Sequence, residues 1–320
     1  MNRRNQILGA ILVLQLILVA VVFWPRARGA TAGQPLFPGV EASQVVTLTV
    51  TVAGDAGVDM AKVDAGWELA GTDGFPVVSS TVTAALEQIV ALSGDRAVAT
   101  AASSQKRLRV TADNYERLVE FELSDGSRHR LYVGTSPSYS TTYVRADDQK
   151  EVYLSTLKAS DLGSGPSFWI DTTYVAVTQD LVTGMALQNK QGTFEFERTG
   201  EAWTMKGLAA GETLDTGQVT SILSSVSSLR MIQPLGKTEK PEYGLAEPLA
   251  VLAITTPAKT YMIKVGALGS DGNSYVVSSS ESPYIVRVSQ YSLSKLVDNG
   301  RDAFLVQPTP VPTPGPAAAP

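Results

Sequence analysis

Hydrophobic positions form one continuous run at the N-terminus and recur with helix or strand spacing elsewhere. The run covers residues 5–24, NQILGAILVLQLILVAVVFW, twenty residues without a charge. A helix of that length crosses the hydrocarbon core of a bilayer. The sequence therefore predicts a single N-terminal transmembrane helix, a signal anchor within residues 1–30 whose partner is the lipid bilayer.

A cleavable signal peptide is the alternative interpretation of this segment. Ala30 and Ala32, followed by Gly33, fit the small-x-small pattern of a cleavage site. However, the apolar run is longer than that of ordinary signal peptides, and Arg26 and Arg28 separate it from the site. We therefore expect the anchor to stay attached.

Two helical stripes recur at matched positions in the rest of the chain. Each has the spacing of a helix with one buried face. A tryptophan precedes each stripe, Trp67 in VDAGWELAG and Trp203 in TGEAWTMKG, and LYVG ending at Gly134 later matches IKVG ending at Gly266. TYV after the first VG likewise matches SYV after the second. The matches predict an internal duplication. The apolar stripe positions are Val82, Leu86, Ile89 and Leu92, and Val219, Leu223, Val226 and Leu229.

Period-two alternation surrounds both stripes, as in VVTLTVTV and RLVEFEL of the first half and TFEFER and TYMIKV of the second. Such alternation is typical of strands with one buried face. The predicted class is α+β, with two tandem homologous domains, each an antiparallel sheet with one main packed helix. The predicted order is anchor (1–30), linker (31–44), first repeat (45–175), second repeat (176–306) and tail (307–320).

The tail, QPTPVPTPGPAAAP, has six prolines in fourteen positions. This composition favours an extended, disordered segment without a packed core.

These residues resemble a bacterial family catalogued as domain of unknown function 4340. The resemblance rests on the tryptophan strand, the V-x-x-x-L-x-x-V helix, YGLAEP at residues 243–248, and VG followed by YV and IVRV. It spans nearly all of residues 45–306, but RVTADNYERL at 109–118 stands where the first half should carry YGLAEP. The resemblance implies a membrane-anchored extracytoplasmic protein that often accompanies ABC-type transport systems. It implies no established activity and transfers no catalytic residue.

Composition narrows the chemistry. Twenty-six basic and thirty-one acidic residues give a net charge of −5, which argues against a nucleic-acid binder. Cysteine is absent and His129 is the single histidine, which excludes thiolate chemistry and metal sites with two histidine ligands. We expect no cofactor and no metal.

Two catalytic arrangements can be examined on the residues. His129 lies between Arg128 and Arg130, on the Leu131 side of a predicted strand, with no G-x-S-x-G elbow to supply a serine. The S-x-x-K pairs Ser155 to Lys158 and Ser292 to Lys295 occur at about the frequency expected by chance and lack companion elements. We therefore expect no catalytic residue and no enzyme, although spacing alone does not exclude paired carboxylates.

One loop is a candidate ligand site. GTSPSYSTTY, residues 134–143, combines hydroxyls with aromatic faces, as recognition of a sugar requires. The candidate contacts are Ser136, Ser138, Tyr139 and Tyr143. A polar hairpin connection is the simpler interpretation.

The expected function is that of a membrane-anchored extracytoplasmic accessory or scaffold in the cell membrane, associated with a membrane protein complex such as an ABC-type transport system. One alternative is a glycan-binding module of the cell envelope. A second alternative is an envelope hydrolase, which would need His129 or an S-x-x-K serine.

Overall fold

Most of the chain folds into two antiparallel sheets and their packed helices. The structure is a computed structural model that describes residues 33–307. The predicted transmembrane helix at 5–24 and residues 308–320 of the predicted tail lie outside this range. Between residues 33 and 307, no helix has the length and apolar character needed to cross a membrane.

The first sheet, sheet 1, is built from residues of the first half and has the strand order β12-β11-β10-β9-β2-β3-β4-β5. The elements of this half are β1 (Gln34–Pro35), β2 (Val45–Val52), β3 (Val58–Val63), β4 (Gly66–Leu69), β5 (Phe75–Val77), α1 (Ser79–Val90), β6 (Ser93–Gly94), α2 (Ala102–Arg107), β7 (Val110–Thr111), β8 (Asn114–Tyr115), β9 (Arg117–Leu123), β10 (Arg128–Val133), β11 (Thr142–Ala146) and β12 (Tyr153–Ser155).

The second sheet, sheet 2, has the order β13-β17-β21-β20-β19-β18-β14-β15-β16. Its elements are β13 (Thr173–Ala176), β14 (Gly184–Asn189), β15 (Gly192–Thr199), β16 (Ala202–Met205), α3 (Thr216–Ser227), β17 (Ser228–Gly236), β18 (Ala250–Thr255), β19 (Thr260–Leu268), β20 (Ser274–Ser279), β21 (Ser282–Ser289) and α4 (Gln290–Asp298). The α+β class with antiparallel sheets is confirmed.

Seven strands of each sheet are connected in the same order. The run β4-β3-β2-β9-β10-β11-β12 of sheet 1 has the same chain order as β16-β15-β14-β18-β19-β20-β21 of sheet 2. The short ladder of β1 with β6 also corresponds to the ladder of β13 with β17. In sequence, β13 falls at the end of the range 45–175, but its hydrogen bonds join it to sheet 2.

The helical stripes are buried where the spacing predicts. Helix α1 buries Val82, Leu86 and Ile89, and α3 buries its matching stripe. The last position of each stripe lies past the helix end, because α1 stops at Val90 and Leu229 already belongs to β17. Both tryptophans, Trp67 and Trp203, are core residues.

The N-termini of α1 and α3 have different caps but share one backbone hydrogen bond. Asp215 caps α3 by accepting hydrogen bonds from the N–H groups of Gly217 (2.9 Å) and Gln218 (3.3 Å), as its side chain predicts. For α1 the cap position is Val78, whose side chain makes no cap hydrogen bond. In both cases the N–H of the cap residue donates to a buried aromatic residue's carbonyl, Trp169 for Val78 (2.7 Å) and Phe304 for Asp215 (2.8 Å).

A backbone segment crosses each sheet at a glycine. A Cβ at Gly134 would collide with the carbonyl oxygen of Leu108, and one at Gly266 with that of Tyr243. The next residue of each crossing segment is left-handed, Arg109 with φ 59° and Gly244 with φ 63°. Leu108, Arg109 and Val110 are therefore the counterparts of Tyr243, Gly244 and Leu245 in YGLAEP. The sequence comparison places the start of this segment one residue later, at Arg109.

The match of TYV with SYV does not hold residue for residue. Tyr143 packs against a small cluster around Val110 and Tyr132 on one side of its sheet, whereas Tyr275 belongs to the main core. Val133 pairs with Val144, whereas its equivalent Val265 pairs with Val277, so the counterpart of Val144 is Val277 rather than Val276.

The two sheets meet around Tyr284 and Asp73 and share a continuous core. The Tyr284 ring meets Phe75 edge to face at 4.7 Å, and its hydroxyl donates to the carbonyl of Gly74 (2.6 Å). Asp73 Oδ2 accepts the N–H of Lys237 (2.7 Å). Tyr174 donates to the Tyr284 carbonyl (2.7 Å), and burial raises the pKa of the Tyr174 hydroxyl.

Truncating either helix stripe should destabilise the protein. Leu86→Ala and Leu223→Ala each leave a cavity in the core, so the free energy of unfolding should fall by about 2–5 kcal/mol. Denaturation followed by tryptophan fluorescence measures this loss. Glu87→Ala, on the exposed side of α1, is the control and should change stability little. Equal effects of Leu86→Ala and Glu87→Ala would contradict the packing.

Adding a methyl group at a glycine crossing should also destabilise. Gly134→Ala and Gly266→Ala force a carbonyl away from the sheet, at an expected cost of about 1–3 kcal/mol. Gly165→Ala is the control, because no atom lies within 4 Å of a Cβ placed there. Unchanged melting of both crossing variants would show that the segments do not pack as described.

Candidate functional site on the outer face of sheet 1

Polar side chains line an open groove on the face of sheet 1 that turns away from α1, here called the outer face. The groove encloses about 250 Å³. It lies across β2, β9 and β10, where alternation directs every second side chain outward. Its outward side chains are Thr47, Thr49, Glu120, Glu122, Arg128 and Arg130.

Strand register arranges these side chains in two rows. Glu122 lies opposite both Thr47 and Arg128, and Glu120 lies opposite both Thr49 and Arg130. One ion pair between β9 and β10 stands at the end of each row. Arg128 Nε is 2.9 Å from Glu122 Oε2, and Arg130 Nε is 3.2 Å from Glu120 Oε1. The second row extends to β3, where Asp59 Oδ1 accepts the Thr49 hydroxyl at 2.7 Å.

The groove is acidic towards β3 and β9 and basic on β10. Interaction with Tyr132 and then with Glu120 raises the pKa of the Arg130 guanidinium, so this cation stays charged. The Arg128 side chain is 79% exposed. Exposed ion pairs contribute little to folding stability. The rows therefore present donors and acceptors at fixed spacing to solvent.

Residues 95–116 cover the other half of the outer face. Arg145 holds them down, because its buried guanidinium lies 4.3 Å from the Tyr132 ring centre and donates from Nε to the carbonyl of Val110 (2.6 Å). Within this cover, Arg109 pairs with Glu116. One half of the face is thus occupied by the chain itself, and the groove half is left to solvent.

The structure separates the residues of the predicted ligand loop. Ser136 Oγ is 3.0 Å from Thr142 Oγ1 and Ser138 Oγ is 2.7 Å from Thr141 Oγ1, so both serines are engaged within the loop. Tyr143 packs against the cluster on the outer face. Tyr139 is 94% exposed.

A lysine lies beside the exposed tyrosine. Lys158 Nζ is 5.2 Å from the centre of the Tyr139 ring, within the range of a cation–π contact. Tyr139 and Lys158 together offer an aromatic face and a cation, whereas Tyr143 is withdrawn from the loop surface. The ligand site made of Ser136, Ser138, Tyr139 and Tyr143 stays a prediction.

His129 is held among core side chains. Its ring lies 5.5 Å from that of Phe37 and 5.3 Å from that of Phe121, on the side of the strand that alternation predicts. Nδ1 is 3.1 Å from Asp147 Oδ2, and Asp147 also accepts the N–H of Arg130 (2.7 Å). In the described chain no hydroxyl is hydrogen-bonded to this ring, so a histidine–aspartate pair is present without a nucleophile.

Neither S-x-x-K pair forms a hydrogen bond between its serine and its lysine in residues 33–307. Ser155 Oγ accepts the N–H of Leu157 (3.0 Å). Lys295 Nζ instead bonds to Ser221 Oγ on α3 (2.6 Å). Across the same residues, no group of three or more histidine, cysteine or acidic side chains is placed to hold a metal ion.

The sequence prediction missed the groove. Its signal was present, since TLT, EFE and RHR put polar residues at every second position of three strands. The alternation in these segments predicts strands, but it does not predict which strands are neighbours. The polar positions form rows only because β2 pairs with β9, which is distant in sequence.

Replacing the candidate catalytic residues should leave function intact. His129→Gln, Ser155→Ala and Ser292→Ala remove the base or the nucleophile of any hydrolase built on them. We expect an unchanged cellular phenotype, measured by complementation of a deletion strain, with thermal melting as the folding control. Loss of function in one of the variants at normal stability would support the hydrolase.

Comparison with known proteins gives one family. A family model described as Domain of unknown function (DUF4340) matches residues 67–248, from the tryptophan of β4 to the end of YGLAEP and narrower than the span that the resemblance indicated. A search of curated proteins and of solved structures finds no match. The match covers 182 of 320 residues, more than half of the chain. The protein therefore belongs to the DUF4340 family.

Proposed function

We propose that the protein is a binding or scaffold component of a membrane assembly, anchored by residues 5–24 with the rest of the chain outside the cytoplasm. An assembly of the ABC-type transport class is the partner that the family resemblance suggests. The apolar, uncharged run at 5–24 supports the anchor. The net charge of −9 over residues 31–320, from 22 basic and 31 acidic residues, supports a solvated extramembrane part.

The groove on the outer face of sheet 1 carries the binding role. Small-molecule sites are usually enclosed and mostly apolar, whereas this groove is open and polar. Protein interfaces combine polar rims with hydrogen bonds at fixed positions. Two rows of carboxylate, hydroxyl and guanidinium groups on a rigid sheet therefore suit a protein surface with complementary charge.

A role without catalysis fits the candidate residues best. A hydrolytic site needs a base hydrogen-bonded to a nucleophile. The partner of the His129 ring is a carboxylate, and Phe37 and Phe121 pack against the ring. The lysines of the S-x-x-K pairs are directed to Tyr139 and to Ser221.

We also propose that the two halves are tandem homologous repeats. Shared strand order supports this, as do the glycine crossings at Gly134 and Gly266. The matched hydrogen bonds from the cap residues of α1 and α3 to Trp169 and Phe304 add a third similarity. Chance convergence would have to reproduce all three.

Reversing the charge of the groove should release the partner. Arg128→Glu with Arg130→Glu removes both cations and leaves five carboxylates in the two rows, those of Asp59, Glu120 and Glu122 and the two introduced. We expect the membrane proteins that co-purify with the wild-type chain in mild detergent to be lost, as measured by quantitative mass spectrometry.

The matched control is Lys190→Glu with Lys206→Glu, which changes net charge equally on sheet 2. It should retain the partners. Retention by the groove variant, at normal melting temperature, would contradict the proposed surface.

Glycan binding is the second candidate, and the exposed Tyr139 ring beside Lys158 favours it. Exposed aromatic rings stack on the apolar faces of sugars. Tyr139→Ala should then reduce retention on isolated cell-wall material. Tyr291→Ala is the control, because Tyr291 is equally exposed at 93% but lies on α4 of the second half. Equal retention of both variants would eliminate this loop as the glycan site.

A further inference from the structure

The described chain starts at one edge of sheet 1. Gln34 pairs with Gly94 and Pro35 with Ser93, which places the ladder of β1 and β6 at this edge. The Tyr153 ring of β12 lies against Gly94, so β1 and β6 adjoin the β12 edge of the sheet.

Sheet 2 is attached at the opposite edge of sheet 1. The contact is made by the turn between β4 and β5, through Asp73, Gly74 and Phe75. Strand β5 is the last of eight strands counted from β12. Since neighbouring strands lie about 4.8 Å apart, the two edges are separated by about 34 Å along the sheet.

In sheet 2 as well, the entering and the leaving segment lie near opposite edges. Lys237 and Tyr284, beside the β13 edge, contact sheet 1. The last described residues lie at the other side, where Leu305 pairs with Leu214 and the Val306 N–H donates to Thr213 (2.9 Å). Phe304 there packs against Phe194 and Phe196 of β15, next to the β16 edge.

The two ends of the described chain therefore lie at opposite free edges of the pair of sheets. Resting on the proposed anchor, we propose that the β1 and β6 edge of sheet 1 faces the lipid surface and that the β16 edge of sheet 2 lies farthest from it. Only eight residues, 25–32, separate Trp24 from Gly33, and these span at most about 28 Å. The C-terminal proline-rich segment then starts from the membrane-distal end.

The membrane-facing edge is tethered rather than adsorbed. Four charged side chains flank its strands, Asp95 and Arg96 after β6 and Lys150 and Glu151 before β12, and their charges cancel. Binding to an anionic lipid surface requires a cluster of basic residues, which these four do not form. The anchor alone holds it near the bilayer, which leaves the groove and sheet 2 accessible to other proteins.

Single cysteines test this order directly, because the chain has none of its own. Arg96→Cys marks the membrane-facing edge and Ala210→Cys the distal edge, and both positions are exposed. The full chain, labelled with a fluorophore, is reconstituted into phosphatidylcholine vesicles that carry an energy-acceptor dye on a lipid headgroup. We expect several-fold greater energy transfer from position 96 than from position 210.

Three results would count against the proposal. Equal transfer from the two positions, or greater transfer from position 210, overturns the proposed order while the anchor stands. Loss of the chain from vesicles after an alkaline carbonate wash overturns the anchor and the order together. A melting temperature equal to that of the unlabelled chain establishes that each variant is folded.

Discussion

Burial of helix stripes against one face of each antiparallel sheet, by α1 on sheet 1 and by α3 and α4 on sheet 2, is the constraint on which the rest of the structure depends. Leu86 on α1 and Leu223 on α3 enter the core with the inward side chains of the strands. Because strand side chains alternate, burying one face fixes which residues point to the other. The outer face is therefore left for short crossing segments, and the groove of sheet 1 occupies the half that residues 95–116 leave uncovered.

Local patterns predicted the elements, but not their neighbours. The spacing of Val82, Leu86 and Ile89 identifies the helix because a 3.6-residue period is encoded within a few turns. The pairing of β2 with β9 joins residues about seventy positions apart, and no local pattern encodes that distance. The polar rows of the groove arise from this pairing. The local sequence pattern therefore shows which positions are polar, but not that they align in rows.

Two departures from the sequence comparison arise in the backbone. Val133 pairs with Val144 while its equivalent Val265 pairs with Val277, so Tyr275 faces the core and Tyr143 faces outward, and a one-residue difference in strand register reverses the face of every side chain. Arg109 takes the left-handed conformation that Gly244 takes in the second half. An arginine there costs more backbone strain than glycine, and its contacts to Asn114 (3.2 Å) and Glu116 hold it in place.

We propose that the outer face of sheet 1 contacts a membrane protein. A photo-reactive amino acid at Arg128, with a matched site at exposed Thr193 on sheet 2, tests it in intact cells. Light should produce an adduct of defined mass with a membrane protein from position 128 and not from position 193. Adducts from position 193 alone, or none from position 128 with the chain folded and in the membrane, would contradict it.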